Sequence, residues 1–144
     1  MEKTANALNW FEIPATDISR AKKFYESIFN VKMDDMPEMM GMKMSSFPAE
    51  MGNGKVSGAI AQSQMHKPSA DGAVVYLNAN PSIQNVIERI EGNGGKVVMP
   101  KTQITPKTIT RRMLFLFMQQ KYEYALQIYA YGVIIKDLIR SIYK

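Results

Sequence analysis

The clearest pattern of apolar and polar positions lies between Leu8 and Phe29. Leu8-Asn9-Trp10-Phe11-Glu12-Ile13 is rich in aromatic and branched side chains and reads as a strand. Pro14 has no N–H to give a ladder and ends the run. Thr16 and Asp17 offer side-chain oxygens to the first free N–H groups of a helix. Ile18, Ala21, Tyr25 and Ile28 then recur along one stripe, flanked by Phe24 and Phe29, while Ser19, Arg20, Lys22, Lys23 and Glu26 take the rest of the circumference. The spacing predicts strand, tight turn and amphipathic helix.

Beyond Phe29, alternation and turn residues predict strands at 31–33, 42–47 and 56–62, separated by a turn at 34–41 and a loop at 48–55. The first half therefore reads βαβββ. A polar linker at 64–72 follows, and the second half begins in the same way. A strand at 73–79 leads to Asn80 as cap and Pro81 at the first helical position. Ile83, Val86, Ile87 and Ile90 form the helix stripe, and Gly92, Gly94 and Gly95 terminate it. A strand at 96–99 comes next, closed by Pro100. From Asp17 to Asn80 is 63 residues, an internal repeat that marks a duplicated module. The expected organisation is one domain, 1–144, of two modules at about 5–66 and 72–131. The second module closes with strands at 112–118 and 122–130. A tail at 132–144 carries a short helix with Ile135, Leu138, Ile139 and Ile142 on its apolar face.

Phe11-Glu12-Ile13-Pro14, Asp17, Arg20-Ala21, Phe24-Tyr25 and Phe29 together resemble the first βα unit of the vicinal oxygen chelate superfamily, the glyoxalase/bleomycin-resistance/extradiol-dioxygenase group. The resemblance continues more loosely to about Thr105. It implies an α+β, glyoxalase/bleomycin-resistance-like fold in which two βαβββ modules form a curved mixed sheet around a cup, here with an added C-terminal helix. Members of the group usually place Asp-x-x-Gly-Asn between the last two strands. This chain has Gln119-Gln120-Lys121 there, without a residue suited to positive φ.

Charge adds to that contrast. Net charge is +5, yet residues 1–105 hold eleven Lys/Arg and eleven Asp/Glu, whereas residues 106–144 hold seven and two. Five of the seven tyrosines also lie after 105. The basic character belongs to the tail, whose origin stays open between a shifted or replaced gene end and divergence. Arg111-Arg112 and Lys144 sit in no recognised nucleic-acid module, so no nucleic acid is expected. No apolar run reaches the roughly 18 residues of a membrane span, and no membrane is expected. The absence of cysteine removes disulfides and thiolate chemistry. With no apolar signal segment at the N-terminus, a cytoplasmic protein is expected.

The resemblance also implies a divalent metal held by His or Glu from four strands. Its first ligand position falls on Trp10, the fifth-strand position near Val74, the eighth-strand position near Leu126, and the fourth-strand position on Gln62 or a neighbour. These are poor donors, so no metal and no cofactor are expected. By alternation Trp10 and Glu12 share one strand face, as do Val74, Tyr76 and Asn78. Trp10, Glu12, Gln62, Tyr76 and Asn78 are the candidate ligand-binding residues. Glu12 reads either as a general base or as a carboxylate that shapes the cup. Trp10 and Tyr76 either stack a planar ligand or belong to the core. His66, alone in a polar linker, reads as a solvated side chain. The methionines crowded between Met33 and Met51 are gap-filling core or an adaptable surface. A metal-free homodimer that binds a small molecule in the cup is the expected function. The alternatives are a lyase, isomerase or dioxygenase-like enzyme of the same group, or a product whose altered C-terminus damages the site.

Overall fold

The computed structural model describes residues 2–50, 52, 54–69, 73 and 75–97, with the backbone of 116–117 and 127–128. Its first strand, β1 (Trp10–Pro14), starts later than the sequence placed it and takes in Pro14. Ala15 donates its N–H to Ala61 O at 2.8 Å. By alternation, the N–H that Pro14 lacks would point away from that neighbour, so the proline leaves no gap in the ladder.

Helix α1 (Ile18–Phe29) follows, as predicted, with Asp17 as its N-cap. The Asp17 carboxylate accepts from Arg20 N at 3.0 Å. Ala21, Phe24, Tyr25 and Ile28, the stripe read from the sequence, are its buried residues. Asn30 ends the helix at φ 54° and ψ 51°, the left-handed conformation that asparagine tolerates better than most residues.

The second strand differs from expectation. It is β2 (Asp34–Asp35), beyond the expected 31–33. Met33 is drawn into the core, and its N–H donates to Glu26 Oε1 at 2.8 Å, which removes it from any ladder. A tight turn then places Met39 opposite Met42, with Met40 and Gly41 at φ 51° and 74°. Strands β3 (Lys43–Ser46) and β4 (Ser57–Gln62) lie inside the predicted ranges.

Sheet order is β1-β4-β3-β2, with β1 parallel to β4 and the other pairs antiparallel. In register, Ile13, Ile60 and Ser45 stand side by side. They are buried on the face that α1 covers, where Phe11 and Phe47 also pack. Gly58 is required here: a Cβ on it would stand 2.6 Å from the Phe11 ring.

In the second half, Val75, Tyr76, Leu77, Asn78 and Ala79 keep the alternation of a strand, with Leu77 and Ala79 buried and Tyr76 and Asn78 exposed. They form no continuous ladder among the described residues. Helix α2 (Ile83–Gly92) buries Ile83, Val86 and Ile90, but its N-cap is Ser82 and not Asn80. The Asn80 N–H is engaged beforehand, donating to Asn78 Oδ1 at 3.0 Å. At the far end Gly95 N bonds to Ile90 O at 2.9 Å and Gly94 N to Glu91 O at 3.1 Å, with Gly94 at φ 84°. This is the paired Schellman closure that glycine favours. The helices share one core, and Arg89 Nη1 donates to Ile28 O at the end of α1.

A two-stranded ladder, β5 (Leu116–Phe117) with β6 (Gln127–Ile128), is antiparallel and falls inside the two closing strands expected from sequence. The tail helix expected at 133–144, and the turn at 119–121, lie outside the described residues.

Candidate functional site

Strand parity decides which side chains of β1 are available. Phe11 and Ile13 turn to the helices, so Trp10 and Glu12 turn to the other face. Ala59 shares that face in register with Glu12, and Ala61 in register with Pro14. Both alanines are fully buried. The face is therefore a covered floor of small side chains, at whose edge a carboxylate and an indole remain partly exposed.

The linker that leaves β4 reaches this face through His66. Ser63 Oγ accepts the N–H groups of Met65 and His66 at 3.1 and 3.3 Å, a serine turn that reverses the chain. The reversal brings His66 back over β1. His66 Nδ1 lies 2.8 Å from Ser63 Oγ, and Nε2 lies 2.7 Å from Glu12 Oε2. The other Glu12 oxygen accepts from Trp10 Nε1 at 3.3 Å. Four side chains thus form one connected series: Ser63, His66, Glu12 and Trp10. His66, expected to be solvated, is only 18% exposed at its side chain, because both ring nitrogens are engaged.

The other candidates separate from this group. Gln62 has the parity of Ile60 and not of Ala61, and its Oε1 accepts the N–H of Ile18 at the start of α1, 2.8 Å away. It serves the helix, not the opposite face. Asn78 is engaged in the local turn with Asn80. Tyr76 is exposed to about the same degree as Trp10, 39% against 38%. Val74 and Leu126 lie outside the described residues.

The divalent ion that the family resemblance implies finds no matching donor set among the described residues. An ion held by the protein needs three or four nitrogen or oxygen donors converging on it. The position of the first ligand holds Trp10, whose indole N–H is a donor only. Glu12 and His66 are hydrogen-bonded to each other. Among the described residues no group of three or more His, Cys, Asp or Glu side chains could hold an ion.

Ser63 drew no notice in the sequence, and His66 read as a solvated side chain, because neither lies on a strand or helix stripe. The one local signal was Ser-x-x-His at a strand end, the spacing of a serine turn.

A family model described as the Glyoxalase/Bleomycin resistance protein/Dioxygenase superfamily matches residues 7–115. Two mycobacterial proteins, from Mycobacterium bovis and Mycobacterium tuberculosis, each named "Putative glyoxylase CFP32", are 33% identical over 98 residues. The match covers 67% of this chain and 36% of theirs, so the chain spans little more than a third of their length. Among solved structures, the fosfomycin resistance protein FosX from Listeria monocytogenes superposes with a TM-score of 0.45 at 14% identity, over 94% of this chain and 98% of that one.

Proposed function

The chain belongs to the glyoxalase/bleomycin resistance protein/dioxygenase superfamily, and from that premise we propose that it binds a small molecule without a metal, on the sheet face that carries Trp10 and Glu12. One observation carries this reading. The Glu12 carboxylate is fixed at both oxygens, by Trp10 Nε1 and His66 Nε2, beside an indole that keeps part of its surface free. A pre-positioned polar group next to an aromatic face over a covered, apolar floor is what a small-ligand site needs. Trp10 is the single tryptophan of the chain, so its emission reports on the site. Titration with a panel of planar compounds of differing charge is expected to find saturable changes in that emission, lost in Trp10→Phe through loss of the reporter and weakened in Glu12→Gln as read by calorimetry. A panel without a single saturable change would reject the reading. Assembly as a homodimer and a cytoplasmic location, with neither nucleic acid nor membrane as partner, belong to the same proposal.

A second reading, a lyase or isomerase of the superfamily, is favoured by the Glu12–His66 contact, since a carboxylate bonded to an imidazole can hold and move a proton. Its support also includes the name of the mycobacterial relatives. Metal-independent turnover of a glyoxalase substrate that disappears in Glu12→Gln would establish it over simple binding.

A further inference from the structure

We infer that the site takes a ligand bearing a cationic nitrogen, an ammonium or amidinium group, which the Glu12 carboxylate receives while the flat body of the ligand lies against Trp10. This deepens the small-molecule reading above and rests on it.

The inference follows from counting hydrogens along the series. A hydroxyl oxygen has two acceptor positions and one proton to give. Both acceptor positions of Ser63 Oγ are taken, by the N–H groups of Met65 and His66. Its proton therefore goes to the remaining neighbour, His66 Nδ1, 2.8 Å away. Nδ1 is then an acceptor and carries no hydrogen, which places the ring hydrogen on Nε2 and leaves the imidazole neutral. Nε2–H donates to Glu12 Oε2. Trp10 Nε1 can only donate, and it does so to Oε1. Both Glu12 oxygens accept, so the group is a carboxylate whose two neighbours are uncharged.

The consequence is a negative charge that no described residue neutralises. Among the described residues Glu12 has no Lys or Arg partner; its ion-pair contact is His66, and the ring is neutral by the argument above. Its side chain stays 32% exposed, and each oxygen keeps a lone pair for a further donor. A cationic N–H group supplies the positive charge that no described neighbour of Glu12 gives, together with a further donor. The exposed indole adds attraction for the same cation through its π face. An anionic ligand would meet the carboxylate head-on and be repelled.

The test uses the full chain labelled with 15N at near-neutral pH. The single tryptophan gives one indole N–H cross-peak, and the single histidine gives one pair of ring nitrogen signals. The ring signals are expected to show a proton on Nε2 and none on Nδ1. Titration with benzamidinium is expected to shift the indole peak saturably. The isosteric neutral benzamide and anionic benzoate should bind about tenfold or more weakly, the loss expected of one charge-assisted hydrogen bond. Glu12→Gln, which keeps an acceptor oxygen for His66, should weaken benzamidinium by the same factor. A proton on Nδ1, equal binding of benzamide or benzoate, or an unchanged Glu12→Gln would each overturn the inference. If neutral or anionic compounds bind and benzamidinium does not, the small-molecule reading survives and this inference alone falls. If no compound of any charge shifts the peak, both fall.

Discussion

Tyr25 meets Phe47 edge-on, ring centroids 5.4 Å apart and planes at 83°, and the Tyr25 hydroxyl has no hydrogen-bond partner among the described residues. The ring is also edge-on to Phe24 and parallel to Phe29, so aromatic side chains surround it on three sides. Its packing is that of a phenylalanine, with an oxygen added where no described residue receives it.

Tyr25→Phe is therefore expected to stabilise the protein. Removing an unpaired buried hydroxyl relieves a desolvation cost of about 1–3 kcal/mol. Burial also pushes the Tyr25 phenol well above the ordinary tyrosine range. Above about pH 10 the unfolded chain ionises while the folded chain cannot, so stability is lost as pH rises through that range. Urea unfolding at neutral pH should show the gain, and the alkaline fall should shrink in the variant. A variant less stable than the parent at neutral pH would contradict the packing account.

The two helix starts give a paired prediction. Asp17→Ala removes a cap whose carboxylate accepts from Arg20 N, and should destabilise by about 0.5–2 kcal/mol. Ser82→Ala removes a side chain that makes no capping bond, and should change stability by far less. Equal losses measured by chemical denaturation would mean that capping is not what separates them.

Gly58→Ala should destabilise by about 1–3 kcal/mol through overpacking. The added Cβ would stand 2.6 Å from the Phe11 ring, and the Phe11 carbonyl oxygen blocks the same space, so a side-chain rotation alone cannot relieve it. Because Phe11 precedes Glu12 on β1, ligand binding should weaken together with stability. Calorimetric unfolding and the Trp10 titration read the two effects separately.

Elemental analysis of protein purified without chelators should find no stoichiometric Zn, Ni, Mn or Fe. Two donors already bonded to each other, Glu12 and His66, would leave most of an ion's coordination to water. One ion per chain that survives dialysis, and is released by Glu12→Ala, would overturn the metal-free reading.

Local order was legible in the sequence wherever one periodic element decided it. The stripe of α1 and the cap at Asp17 followed from spacing and residue type, and parity alone put Trp10 and Glu12 on one face. The same parity sets Gln62 beside Ile60 on the helix side; assigning it to a family ligand position overrode that signal. The strand expected at 31–33 shifted because Glu26, seven residues earlier, accepts from Met33 N. The site itself was half legible for a related reason. His66 and Glu12 are 54 residues apart, and a side-chain hydrogen bond across that separation leaves no repeat in the chain.

The parallel pairing of β1 with β4 also bears on the order of assembly. Helix α1 and the β2–β3–β4 meander close short stretches of chain, whereas Trp10 must find Ser57 across the whole first module. Long closures cost more chain entropy before any contact offsets them. Docking of β1 is thus the expected late step, and fraying of β1 the expected early one on the way out. Trp10 and Glu12 ride on β1, while Ser63 and His66 lie beyond β4. Their hydrogen-bonded series exists only when the last strand is home, so a bound ligand would act as a latch on the fold, slowing the release of β1 more than any other element.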